Sequence, residues 1–161
     1  MQILFLILLI FLNAFFAALE MAFISLNDAK IALMAKEGNK KAKRIEKLLK
    51  TPSKFLATIQ IGITLAGFLS SAVAADNYVE VVGQKLYDIM PFLSLNIWQT
   101  IALIVITVIL SFFTLVFGEL VPKRIAMKYS EKVAFLGVGV INIISIVTAP
   151  AVKLLTFVTN I

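Results

Sequence analysis

Long apolar runs alternate with short charged segments along this chain. Three of the runs reach about 20 residues, the length that an α-helix needs to cross the hydrocarbon core of a bilayer. They predict three transmembrane helices, at about residues 3–26, 55–75 and 97–121. A fourth apolar stretch, residues 133–161, is interrupted by Pro150 and Lys153. The pattern therefore fits either a further span or short helices along the membrane interface.

The charged residues indicate how these helices are oriented. Residues 27–54 carry nine Lys or Arg against three acids, and residues 123–132 carry four against one. The loop predicted at residues 76–96 carries one lysine against three acids. Because cytoplasmic loops collect positive charge, we predict that the two basic segments are cytoplasmic and that the amino terminus lies outside. Residues 27–54 are expected to form a basic helical hairpin. The net charge of +6 thus reflects topology and contact with anionic membrane lipids, and no nucleic-acid partner is expected.

The composition narrows the class of protein and the groups that could bind a metal. Hydrophobic residues make up 61% of the chain and the mean hydropathy is +1.01, above the roughly 45–50% apolar content of soluble domains. We therefore expect an all-α membrane protein. The chain has no Cys and no His, which removes disulfides, thiolate and imidazole metal ligands and the usual groups of an intramembrane enzyme. An enzyme is not expected, and a bound metal would be held by oxygen atoms, as Mg²⁺ and Na⁺ are.

Two carboxylates, Glu20 and Glu119, lie within the predicted spans. Ionisable groups at membrane depth are costly and usually face a bundle interior, where they mark ion or proton paths. Polar and small residues recur at helical spacing in the same spans: Asn13 and Glu20 in the first, Gln60, Thr64, Gly67 and Ser71 with Ser70 beside them in the second, and Thr100, Thr107, Ser111, Thr114 and Gly118 in the third. Such stripes are also typical of close helix packing, but packing does not need carboxylates.

A proline ends the third span beside one of these acids, in "TLVFGELVPKRIAMK" (114–128). Pro122 has no N–H to donate to the carbonyl of Gly118 and its ring clashes with that carbonyl in an α-helix. We therefore predict a helix break at Pro122 and a free carbonyl next to Glu119, an arrangement that transporters use to coordinate cations. Lys123 and Arg124 either anchor the span at the lipid heads or tune the charge of the site, and the pattern favours the anchor.

Three motifs in this order resemble a known family: "NAFFAALEMAFISL" (13–26), "TIQIGITLAGFLSSA" (58–72) and "FGELVPKRIA" (117–126). Together they are similar to the transmembrane domain of the CNNM/CorC magnesium transporters, in the bacterial haemolysin-like branch. The resemblance implies a homodimer with three transmembrane helices per subunit and juxtamembrane helices, at about residues 127–161, along the cytoplasmic surface. Family members normally continue into cytoplasmic CBS domains, which this chain does not contain.

The resemblance also implies a cation site made of hydroxyls, a carboxylate and backbone carbonyls. The expected ligands of the transported metal are Ser70, Ser71, the Gly118 carbonyl and Glu119. A secondary or coupling-ion role is expected for Asn13, Glu20, Ser25, Gln60, Thr64 and Gly67. Many relatives have serine where this chain has Ala17, and some have asparagine at the positions of Ile63 and Gly67. The site here would therefore depend more on Ser70, Ser71, Glu119 and main-chain oxygens.

The resulting functional hypothesis is Mg²⁺ transport across the cytoplasmic membrane by alternating access, in the direction of export and coupled to inward Na⁺. The alternative is a non-transporting membrane anchor and dimerisation module that senses or scaffolds. The alternative predicts that the polar stripes pack shut and that Glu119→Gln changes stability instead of flux.

Overall fold

A computed structural model describes residues 2–159, apart from the side chains of Lys153, Leu155, Thr156 and Thr159. Every regular element in that range is helical, which confirms the all-α prediction. In chain order the elements are α1 (Gln2–Ile24), α2 (Asp28–Lys36), α3 (Lys40–Leu49), α4 (Pro52–Ile89), α5 (Leu95–Leu115), a π-helical turn (Val116–Leu120), α6 (Val121–Lys128), α7 (Ser130–Val147) and α8 (Ala149–Thr159).

Within residues 2–159, four helices are long and apolar enough to cross a membrane: α1, α4, the continuous helix from α5 through α6, and α7. The chain is therefore a multi-pass membrane protein. The three predicted spans fall in the first three of these helices. The fourth apolar stretch forms α7 and α8, which are separated at Thr148. Positions 160 and 161 of the predicted juxtamembrane belt lie outside the described residues.

The basic segment after α1 forms a short pair of helices, each with an asparagine at its start. Asn27 accepts a hydrogen bond from the Lys30 backbone N–H, and Asn39 accepts from the backbone N–H groups of Lys41 and Ala42. These side chains satisfy donors that the first turn of a helix leaves without partners. Between the two helices, Gly38 has a φ of 98°, a left-handed conformation that costs glycine little.

Helix α4 is longer than predicted, because residues 76–89 continue it instead of forming part of a loop. Its 38 residues span about 57 Å, well beyond the roughly 30 Å hydrocarbon core. The extension is polar at intervals of four residues, at Asp76, Glu80, Gln84 and Asp88. Gln84 donates to the Asp88 carboxylate at 2.9 Å across one such interval. Hydropathy follows contact with lipid, so it does not report that the helix continues into the polar segment, where the Gln84–Asp88 pair supports it.

The hairpin between α4 and α5 is closed by Trp98. Its indole Nε1 donates to the Met90 carbonyl at 2.8 Å, and its ring meets the Phe92 ring edge-on at 5.4 Å between centroids. Just inside the hairpin, Gly83 packs directly on α5. A Cβ at this position would lie 2.8 Å from the backbone Cα of Gln99, closer than real Cβ atoms approach.

We predict that Gly83→Ala and Gly139→Ala have opposite effects on stability. Alanine is favoured over glycine in a helix by about 1 kcal/mol, and no heavy atom lies within 4 Å of a Cβ at Gly139, so this variant should be slightly more stable. At Gly83 the backbone of α5 must move, which costs roughly 1–3 kcal/mol and outweighs the gain. Thermal unfolding in detergent measures both variants. A Gly83→Ala protein as stable as Gly139→Ala would show that the two helices are not in contact there.

The core surrounds α1, which packs against α4, α6 and α7. Phe16, Leu19 and Phe23 of α1 are buried, and the Phe23 ring lies 4.5 Å from that of Phe55 on α4. Gly137 of α7 lies against the Leu19 side chain. This packing also positions the polar residues of α1. Asn13 and Glu20, each about one helical turn from a buried phenylalanine, lie against the π turn and α6.

Candidate cation site

Two acids from different helices meet at one lysine. The Nζ of Lys123 on α6 lies 2.7 Å from Glu119 Oε1 in the π turn and 3.1 Å from Glu20 Oε2 on α1. All three side chains are mostly buried, with 22% to 34% of their surface exposed. Charged groups within a span are expected to pair in this way. The cluster contains two negative charges and one positive charge.

The favoured interpretation of Lys123 as a lipid anchor is wrong, since its ammonium points to the two acids. Arg124, the next residue, is exposed as an anchor would be. The ion pair between Glu119 and Lys123 could have been predicted from the sequence, because residues four positions apart share a helix face. The contribution of Glu20 depends on how α1 packs against α6, which spacing along one helix does not reveal.

The chain stays helical through Pro122, which corrects the predicted helix break. The π turn at Val116–Leu120 precedes the proline, and within it the Val121 N–H donates to the Val116 carbonyl, five residues back. This wider turn shifts the hydrogen-bond register, so the proline fits without unwound backbone. Turns of this kind occur frequently at functional sites.

The Gly118 carbonyl has a partner, whereas we predicted a free one. Asn13 Nδ2 of α1 donates to it at 3.1 Å, and both residues are buried. A Cβ at position 118 would lie 3.0 Å from that same nitrogen, so glycine lets α1 approach the π turn. Among the described residues, three buried oxygens of this region have no hydrogen-bond partner: Asn13 Oδ1, Thr114 Oγ1 and Glu20 Oε2, the last of which faces Lys123 only as an ion pair.

We predict that Asn13→Leu and Thr114→Val differ in stability. Leucine cannot donate to the Gly118 carbonyl, and a buried carbonyl without a partner costs about 1–2 kcal/mol. Valine has nearly the shape of threonine and removes an oxygen that has no partner, so this variant should be unchanged or more stable. Thermal unfolding of both variants in one detergent tests the difference. Equal stability would show that the Asn13–Gly118 bond contributes nothing.

A cleft of about 520 Å³, with a mostly apolar lining that carries several hydroxyl groups, lies between α4 and α5 and reaches the Glu119 side chain. Its polar and small lining residues are Thr64, Gly67, Ser71, Ser111, Thr114 and Glu119, and its apolar walls are Phe68, Leu110 and Leu115. Four hydroxyl groups thus join Glu119, two from α4 (Thr64 and Ser71) and two from α5 (Ser111 and Thr114), the two helices of one hairpin. Hydroxyl and carboxylate oxygens are suitable ligands for hard cations.

The predicted site residues fall into three groups. Thr64, Gly67, Ser71 and Glu119 line the cleft. Asn13, Glu20 and Gly118 lie where α1 meets the π turn and α6, with the Gly118 carbonyl accepting from Asn13. The structure does not bring the other three to the cleft. Ser70 is buried and donates to the Ala66 carbonyl of its own helix at 2.8 Å, while Gln60 and Ser25 are exposed. Residues 111, 114 and 123 were not assigned to the site from sequence, although the first two lie on the predicted polar stripe.

The donor set fits a weakly held hard cation. Among the described residues, no three acidic side chains are grouped as a preformed metal site would require. Glu119 is the one acid of the cleft, and Lys123 already neutralises part of its charge. A site with few charged ligands and several neutral oxygens releases its ion readily, as transport requires.

The fold and the site define a multi-pass helical membrane protein with an acid-bearing cleft at a π turn. The chain matches the Cyclin M transmembrane N-terminal domain over residues 3–161. It therefore belongs to the CNNM family.

Curated relatives support this assignment. A UPF0053 protein of Synechocystis sp. is 34% identical over 160 residues, which cover 99% of this chain and 35% of the relative. The UPF0053 inner membrane protein YfjD of Escherichia coli is 34% identical over 149 residues, covering 92% of the chain and 31% of the relative. A polyamine export protein of Haemophilus influenzae is 27% identical over 159 residues, covering 95% and 35%. The chain thus spans about a third of the length of these relatives.

Proposed function

We propose that this chain is the membrane domain of a Mg²⁺ transporter. The observation that carries the proposal is the Glu119 carboxylate, which lies both in a hydroxyl-lined cleft and in a cluster with a second acid. With no His or Cys in the chain, its oxygen ligands match Mg²⁺ better than softer metals. We propose export by alternating access, driven by inward Na⁺, for which hydroxyl and amide oxygens are also suitable ligands.

In this proposal the cleft holds Mg²⁺ through Glu119 and through the hydroxyls of Ser71, Ser111 and Thr114. Mg²⁺ loses its water shell reluctantly, so most of its ligands would remain water molecules bridged to these hydroxyls. Asn13 and Glu20 act from α1, where Asn13 holds the π turn and Glu20 shares Lys123 with Glu119. Movement of α1 against α6 would then change the charge that the cargo meets.

We further propose that the working unit is a homodimer in the cytoplasmic membrane. Thr64, Ser71 and Ser111 are exposed on the described chain although they lie within apolar helices. Polar groups are costly against lipid, so a second copy covering α4 and α5 would be favourable. The basic α2–α3 pair would face the cytoplasm with the amino terminus outside. The extra length of the relatives leaves room for the CBS domains that the family resemblance implies.

A second cargo is favoured by the cluster itself. Lys123 places a primary ammonium between Glu20 and Glu119, so the two acids are spaced to hold such a group. One relative is named a polyamine export protein. We therefore propose organic polyamines as the alternative cargo, held by the same two acids.

Flux measurements on reconstituted vesicles test the proposal and separate the two cargoes. Vesicles that contain the chain and a trapped Mg²⁺-sensitive dye are given an inward Mg²⁺ gradient, and a parallel set receives radiolabelled spermidine. Faster Mg²⁺ entry than in protein-free vesicles supports Mg²⁺ transport, and spermidine uptake without Mg²⁺ entry supports the second cargo. If neither solute moves faster than in protein-free vesicles, with this chain alone or joined to the cytoplasmic domains that the family resemblance implies, the anchor and dimerisation alternative replaces transport.

A further inference from the structure

The ammonium of Lys123 already pairs with the Glu119 carboxylate to which a cargo cation in the cleft would bind. Its Nζ is within 3.1 Å of a carboxylate oxygen from each acid, at the distance of direct ion pairs. In this state one carboxylate oxygen of Glu119 and one of Glu20 already face a positive charge. A cation that approaches Glu119 from the cleft therefore meets a carboxylate that is partly neutralised.

We propose that Lys123 is a tethered counter-cation that the cargo displaces on binding and that returns to expel it. The inference rests on the proposed transport function and adds a regulatory residue to the same site. Lys123 would not be a cargo ligand, since an ammonium has no lone pair to give a metal. It would act by competing for the two carboxylates.

The charges of the cluster require such a displacement. Glu20, Glu119 and Lys123 together carry a net charge of −1. A Mg²⁺ ion bound to Glu119 would lie close to the ammonium on the same carboxylate, and like charges at about 4 Å repel strongly in a medium of low dielectric constant. With Lys123 withdrawn, the two acids carry −2 and match the charge of Mg²⁺. Binding of Mg²⁺ and withdrawal of the ammonium are thus one coupled step.

The position of Lys123 permits the movement. Its side chain is 28% exposed, and the lysine stem is flexible enough to carry its head toward water while its methylene groups stay against protein. The neighbouring residues 124 and 125 are exposed, so α6 has an open side toward which the head can move. After release of the cargo, the same flexibility lets the ammonium return, which avoids leaving two unpaired acids at membrane depth.

This competition predicts opposite effects on binding and turnover when the charge is removed. Lys123→Met should bind Mg²⁺ at least about tenfold more tightly, because the internal competitor is gone. Its flux at saturating Mg²⁺ should fall at least about fivefold, because release then separates Mg²⁺ from two unpaired acids. A residue that only braced α1 against α6 would weaken binding and flux together.

The test uses isothermal titration with Mg²⁺ and vesicle flux on the whole chain, with Arg124→Met as the matched control. Arg124 also loses a positive charge but is exposed, so both quantities should remain at wild-type values. Unchanged or weaker Mg²⁺ binding by folded Lys123→Met overturns the inference. A third variant, Glu119→Gln, distinguishes a failure of the Lys123 inference from a failure of the proposed transport function. If Glu119 is required for flux while Lys123→Met behaves as wild type, the inference fails alone; if Glu119→Gln transports normally, the proposed function fails.

A measurement on the unaltered chain keeps the inference testable if Lys123→Met does not fold. An ion-paired amine reacts slowly with a small acylating reagent, so Mg²⁺ should raise the labelling rate of Lys123 by at least about threefold when the ammonium is displaced. Mass spectrometry reads the rate, and Lys128, which is exposed on the same helix, is the internal reference. A rate that Mg²⁺ leaves unchanged or lowers, relative to Lys128, contradicts displacement.

Discussion

Glu119→Gln is expected to lower cation flux by about 100-fold, since losing a partly buried charge interaction of roughly 3 kcal/mol corresponds to that ratio. Glutamine keeps the size and the oxygen of the side chain but removes the charge that attracts the cargo. It also removes one of the two partners of Lys123, whose remaining partner is Glu20 at 3.1 Å. Flux into dye-loaded vesicles, normalised to the amount of folded protein, measures the effect.

Glu131→Gln is the matched control for this substitution. Glu131 is also a glutamate paired with a lysine, Lys30, but it lies at the start of α7, away from the cleft. Its exposed ion pair contributes about 0–1 kcal/mol, so flux and stability should be nearly unchanged. Equal flux from the two variants would contradict the assignment of Glu119. The anchor alternative would be supported by two results together: no flux through the wild-type chain, and a loss of stability in Glu119→Gln.

Pro122→Ala is expected to lower flux by about tenfold in protein that still folds, at some cost in stability because α6 packs against α1. Alanine supplies the N–H that proline lacks, so the Gly118 carbonyl can accept a normal α-helical bond and the π turn can convert to α-helix. Conversion of the π turn to an α turn shifts the helical register by one residue, which rotates α6 by about 100° relative to α5. Lys123 would then turn away from Glu20, and displacements of about 1 Å already affect site chemistry strongly.

Pro52→Ala is the control for this second variant. Pro52 lies in the first turn of α4, where a missing N–H has no helical partner to lose. Its replacement should change neither flux nor helix geometry. Unchanged flux in Pro122→Ala would show that the π turn does not position the site, and a large loss of stability would show that the proline is needed for folding instead.

The transmembrane organisation was predictable from the sequence because it depends on composition along single helices. Apolar runs locate α1, α4 and α5, and the dense Lys and Arg residues of 27–54 indicate the basic helical hairpin. The extension of α4 to Ile89 was missed because hydropathy reports contact with lipid. The polar spacing from Asp76 to Asp88, which continues the helix, was visible but was taken as a loop.

The candidate site was predictable in part. Stripes at helical spacing led to Thr64, Gly67, Ser71 and Glu119, which line one cleft. Ser70 was misplaced because its hydroxyl bonds within its own helix, an alternative that is open to any serine and that spacing does not exclude. The bond between Asn13 and Gly118 joins residues 105 positions apart. It depends on the packing of α1 against the π turn, which no pattern within one helix specifies.

In the proposed function, Glu119 holds the transported cation at the cleft. The most direct test of this assignment is an anomalous difference map of the chain crystallised with Mn²⁺, a scatterer with the ligand preferences of Mg²⁺. We predict a peak next to the Glu119 carboxylate on the side of Ser111 and Thr114, with Lys123 turned away from both acids. A map with Mn²⁺ bound elsewhere, or with Lys123 still between Glu20 and Glu119 under saturating Mn²⁺, would contradict the account.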